Sequence, residues 1–119
     1  MKVSVTFRHM EASDAVRDHI DGRLEQLKKF LIKPTGVTII LSVEKFRHSC
    51  EIVLLEQHFQ AKALETTSDM YTSIDKTFHK IEAQVKKHKS KLQEHHKHRA
   101  STHDIAAQAE KDFLKRRQS

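Results

Sequence analysis

Polar and apolar residues alternate from Lys2 to Arg8. Val3, Val5 and Phe7 fall on one side and Ser4, Thr6 and Arg8 on the other, the period of a half-buried strand. Ser13 and Asp14 then open a run with apolar residues at Val16, Ile20, Leu24, Leu27 and Leu31. These three- and four-residue steps predict a capped amphipathic helix that ends before Pro34 and Gly36, slightly weakened by Gly22. From Val37 the period returns to two through Ile39, Leu41 and Val43, and the run breaks at Phe46 to Ser49. Cys50, Ile52 and Leu54 carry a third strand. A tight turn near Gln57 and His58 leads into a fourth, with smaller inward residues at Ala61 and Ala63. The last element starts near Ser68 and Asp69 and sets Tyr71, Ile74, Phe78, Ile81, Val85 and Leu92 on one helical stripe. Continued to His98, that helix would span about 43 Å.

The order βαβββα predicts an α+β fold, a four-stranded mixed sheet with two helices packed on one face. Strands two to four should form an antiparallel meander, while strands one and two, separated by a helix, should pair in parallel. The domain is expected to cover 1–98, and 99–119, poor in apolar residues, to form a flexible polar tail. No apolar run approaches the roughly 20 residues of a membrane span, and the first residues do not resemble a secretory signal, so a cytosolic protein without a membrane partner is expected. The single cysteine, Cys50, excludes an internal disulfide and reads as a small apolar residue within a strand.

The formal charge is +6, and its position matters more than its size. Residues 1–85 hold 12 basic and 12 acidic side chains, whereas 86–99 hold six basic and one acidic. A basic excess confined to one element is the footprint of a polyanion-binding surface, the alternative being a solvated helix end. In a helix Lys87 and Lys91 share a face, with Lys80 upstream and Lys86 and Lys89 to either side. Arg23, Lys28 and Lys29 could form a second basic band on the first helix, unless they simply pair with Glu25 and its neighbours. Lysines suit phosphate oxygens as point charges and position a protein without reading bases. Tyr71 and Phe78 lie on the core stripe, so base stacking is not expected and structured RNA is favoured over single strands. With two glycines and no nucleophile or metalloprotease motif, neither catalysis nor a cofactor is expected. His88, His95, His96 and His98 could hold zinc or nickel, but they lack the cysteine or carboxylate partners of a structural site.

DMYTSID at 69–75 and KIEAQVKKHKSKL at 80–92 resemble the signature of the ribosome hibernation-promoting factors and ribosome-associated translation inhibitors. AVRDHIDGRLEQLKKF at 15–30 and SVEKFRHSCEIVL at 42–54 extend the resemblance over about residues 1–95. It implies a βαβββα domain that enters the small-subunit channel between head and body, overlaps the A and P sites, and excludes tRNA and messenger RNA from idle ribosomes. The implied partners are the 30S subunit and 70S ribosome, with Lys80, Lys86, Lys87, Lys89, Lys91, Arg23, Lys28 and Lys29 facing 16S ribosomal RNA. Asp69, Tyr71 and Asp75 would be structural: a cap, a core aromatic and a local hydrogen bond. The chain departs from the pattern at Ala83, where family members often carry arginine, so one RNA contact is expected to be missing or replaced by neighbouring lysines. Long family members add a dimerising domain for which this chain is too short, so ribosome pairing would require a separate small ribosome-dimerising protein. Short forms have tails that either favour or oppose pairing, and residues 100–119, which end in Lys115, Arg116 and Arg117 before Gln118 and Ser119, leave both open.

Two rival readings stand beside this one. A free double-stranded RNA-binding module also backs a sheet with two helices, but it begins with a helix and carries its lysines at the start of the last one. A metal-responsive protein would use the histidine cluster.

Overall fold

The structure is a computed structural model; it describes the backbone of residues 1–100 and the side chains of residues 1–91. Of the tail expected at 99–119, residues 101–119 lie outside the described residues, as do the side chains of Leu92, His95, His96 and His98. The elements are β1 (Lys2–Arg8), α1 (Asp14–Lys28), β2 (Pro34–Glu44), β3 (Arg47–Glu56), β4 (Phe59–Thr67) and α2 (Met70–Ala100). Residues Met1–Val85 form one compact unit, and a second begins at Lys86.

The sheet order is β1-β2-β3-β4. β1 pairs in parallel with β2, and β2, β3 and β4 are antiparallel neighbours, as the helix and hairpin connections require. Alternation places Val37, Ile39 and Leu41 of β2, Cys50, Ile52 and Leu54 of β3, and Ala61 and Ala63 of β4 on a single face. Val16, Ile20, Leu24 and Leu27 of α1 and Met70, Ile74, Phe78, Ile81 and Val85 of α2 belong to the same buried cluster, so both helices cover that face. Burial pushes the Cys50 thiol up to about 12, which leaves it a packing residue without thiolate character at neutral pH.

Three local expectations need correction. The first helix stops at Lys28: Phe30 N–H bonds Leu27 O and Leu31 N–H bonds Lys28 O in tighter turns, so Leu31 packs on the core from outside the helix. Glu56 Oε2 takes the Ile32 and Lys33 N–H groups at 2.7 and 2.9 Å, and Pro34, which needs no N–H partner, opens β2. The break at Phe46 to Ser49 shrinks to a two-residue turn, Lys45 and Phe46, because pairing extends to Glu44 with Arg47. Lys45 holds φ 57° there, and His58 holds φ 63° in the second hairpin. Neither turn uses the glycine or asparagine that usually marks such a conformation, which hid the first from the pattern. Finally, Tyr71 is 39% exposed and Met70 takes its place on the buried stripe at 6%.

α2 is fastened to the sheet by polar as well as apolar contacts. Ser73, wholly buried, donates to His48 O of β3 at 2.6 Å and accepts from Thr67 N–H of β4 at 3.1 Å. Thr77 Oγ1 is shared between Ser73 O at 2.6 Å and Cys50 O at 3.1 Å. Further along, Gln84 matches the open edge of β4, donating to Lys62 O at 2.9 Å and accepting from Lys62 N–H at 3.2 Å. An edge strand exposes such groups as a template for further pairing, and this amide closes them.

Urea unfolding should separate two single substitutions by sign. Ser73→Ala strands the Thr67 N–H and should cost about 1–3 kcal/mol. Gly22→Ala should gain about 0.5–1 kcal/mol, because a Cβ at this helical position meets nothing within 4 Å.

Candidate nucleic-acid interface

The DMYTSID segment builds the start of α2 and its junction with α1. Asp69 caps the helix: its Oδ2 accepts from Thr72 N–H and Thr72 Oγ1, both at 2.9 Å, and these bonds hold its carboxyl below the ordinary carboxylate range. Met70 and Ile74 enter the core while Ser73 reaches the sheet. Asp75 looks the other way. Its Oδ1 lies 2.7 Å from His19 Nε2 and 3.5 Å from Arg23 Nε, and Arg23 Nη2 donates to its backbone carbonyl at 3.4 Å. Asp75 is therefore a bridge between helices, not the local contact the resemblance implied. Tyr71 sets its ring edge-to-face against His19 at 5.1 Å, beside this bridge.

Arg23 and Lys80, far apart in sequence, line one depression of about 490 Å³ together with Glu65, Asp75, Lys76 and His79. Arg23 is held there from several sides, by Asp75, by Gln26 Oε1 at 3.3 Å and by the Phe78 ring 5.9 Å away. A guanidinium fixed in advance loses little freedom when it meets a phosphate. Lys80 pairs with Glu65 of β4, and this bond keeps the Glu65 carboxyl below its usual range. Lys76 and His79 are cationic or ionisable neighbours that the charge pattern alone did not single out. Helical spacing was the available signal, since positions three and four apart share a face: Lys76 lies four residues before Lys80, and His79 lies three after Lys76 and four after Asp75.

The remaining basic positions differ in setting. Lys28 pairs with Glu25 at 3.0 Å on the exposed side of α1, and Lys29 forms its C-cap. Neither lines the depression. Exposed pairs contribute little net stability, so Lys28 can exchange Glu25 for another anion at small cost. In the second unit, Lys86, Lys87 and Lys91 are exposed and Lys89 half-buried along the continuing helix. Between Ala83 and Gln93 that helix carries no acidic residue. Among the described residues no three histidine, cysteine or carboxylate side chains gather as a metal site. No described helix is long and apolar enough to cross a membrane.

The Lys80 pair can be read by carboxyl NMR. Glu65 should titrate below an ordinary glutamate, and Lys80→Met should raise that titration towards the ordinary value. Because the folded-state value is depressed, the pair's stabilisation is present above the ordinary glutamate value and disappears as pH falls through the folded one.

Residues 3–93 match the family model described as sigma 54 modulation protein / S30EA ribosomal protein. A ribosome hibernation promoting factor of Pseudomonas putida is 32% identical over 93 residues, covering 78% of this chain and 91% of that relative. The protein of the same name from Escherichia coli K12 is 28% identical over 95 residues, covering 80% and 100%. Among solved structures, the Thermus thermophilus Protein Y N-terminal domain superposes with a TM-score of 0.67 at 25% identity over 73% of this chain and 98% of its own. A ribosomal subunit interface protein from Coxiella burnetii shares the fold, with a TM-score of 0.68 at 21% identity over 76% and 99%. The chain belongs to the sigma 54 modulation protein / S30EA ribosomal protein family and is related to the hibernation promoting factors that its sequence resembles.

Proposed function

We propose that this protein is a non-catalytic ribosome hibernation factor of the cytosol. It occupies the tRNA and messenger RNA channel of the small subunit at the A and P sites, blocks translation there and preserves idle ribosomes. The observation that carries the reading is the acid-free stretch of α2 with Lys86, Lys87, Lys89 and Lys91, found in a chain of this family. Such a stretch favours the phosphate backbone of 16S ribosomal RNA, and it needs no base-specific contact to do so. Arg23, Lys28, Lys29 and Lys80 supply further basic contacts, the first and last preset around the depression between α1, β4 and α2. Any ribosome pairing it supports would involve a separate small protein.

Co-sedimentation with 30S subunits and 70S ribosomes across a salt series tests this. Stoichiometric binding should weaken steeply with salt, and changing Lys86, Lys87, Lys89 and Lys91 together to Ala should flatten the dependence of log K on log salt by roughly three units. A native chain that stays in the supernatant at low salt while retaining duplex RNA would overturn the reading in favour of a free RNA-binding module.

A further inference from the structure

We infer that the tip of the β2–β3 hairpin is a separate RNA contact, in which Phe46 stacks on an unpaired base and Lys45 and Arg47 hold the adjoining phosphates. This inference rests on the ribosome reading and adds to it a contact of different chemistry.

Phe46 is 85% exposed, more than any other large apolar side chain among the described residues. It takes no part in the core or in the partly buried shell around it. The turn does not require it: with Glu44 paired to Arg47, Lys45 and Phe46 are the two residues of the loop, and Lys45 adopts φ 57° without the help of glycine or asparagine. The fold thus keeps a cation in a disfavoured conformation beside an aromatic ring that lies outside the core and is largely exposed. Among the described residues, neither Lys45 nor Arg47 enters an ion pair. Arg8, opposite Ser42 in the β1–β2 register, stands at the same end of the sheet and on the same uncovered face as Arg47. Against these three cations, Glu44 is the one acid in the hairpin's last paired rung.

This composition selects the occupant. A protein partner would need a continuous apolar patch, whereas the part of that face adjoining the tip carries Ser42, Ser49 and Thr66, the last two hydrogen-bonded to each other at 2.9 Å, and in the rung beyond, Glu51 stands between Ile40 and Leu64. A single exposed ring between cations instead matches the way unpaired bases are held, by stacking plus phosphate contacts. Phenylalanine offers no hydrogen bond, so the contact should tolerate any base. It would engage RNA at the end of the sheet where α2 begins, whereas Arg23 and Lys80 line their depression further along the helices.

The chain contains no tryptophan, so Phe46→Trp places a single reporter at the tip. Titrated with 30S subunits, this variant should bind like the native chain, with its emission strongly quenched and shielded from iodide. A reporter placed by Ile32→Trp, exposed on the α1–β2 connection, should keep most of its emission. Phe46→Ala should keep the native unfolding midpoint but bind 30S about tenfold more weakly, and Phe46→Tyr should restore binding. Native-like binding of Phe46→Ala, or an unquenched Phe46→Trp chain that still co-sediments, would overturn the tip contact while leaving the ribosome reading intact. Failure of the native chain to bind 30S at all would overturn both.

Discussion

A sheet with one apolar face must have that face covered, and this constraint organises the molecule. The buried positions of β2, β3 and β4 all point one way, so α1 and α2 share one side and a single core. Their outer surfaces become neighbours as a result. Arg23 and Lys80, separated by most of the domain in sequence, come to line one depression because Leu24 and Ile81 beside them are drawn into the same core. The opposite face stays open, with serines, threonines and scattered charges beside Ile40, Val53, Leu55 and Leu64.

Polar contacts set where the helices lie on that face. Hydrophobic burial is non-directional and would tolerate sliding. Ser73 and Thr77 remove that freedom by reaching carbonyl oxygens of β3, Gln84 does the same at the edge of β4, and Asp75 ties α2 to His19 and Arg23 of α1. One seven-residue segment therefore caps a helix, seats it on the sheet and joins it to its neighbour. The arrangement also fixes the charge pattern. Arg23 and Lys80 are held against carboxylates in defined positions, while Lys87 and Lys91, one helical turn apart, are exposed in the acid-free stretch. The first kind of cation suits a defined phosphate position, the second a general attraction to polyanion.

Much of this was legible in the amino-acid order. Period-two and helical patterning identified all six elements, because each strand shows one face to the core and each helix one stripe. The lysine cluster was legible as charge density, and the family as two motifs. The errors came where a local pattern had two solutions. Tyr71 and Met70 are adjacent, and either could have begun the α2 stripe; packing against the sheet chose Met70. Glu44 and Arg47 hid a two-residue turn because neither Lys45 nor Phe46 has the chemistry that announces positive φ.

The sequence by itself determined the element order, the α+β class, the inward residues and the acid-free basic stretch, since all of these depend on spacing along one chain. Tertiary structure alone decided which charges meet. Asp75 bridges to residues 52 and 56 positions earlier, Lys80 finds Glu65 on a strand, and Gln84 finds the backbone of Lys62. It also decided which aromatics reach solvent, leaving Phe46 bare and Phe78 enclosed. These outcomes depend on how two helices settle on one sheet, a packing problem solved by shape and hydrogen-bond geometry across the fold, which residue spacing within an element does not encode.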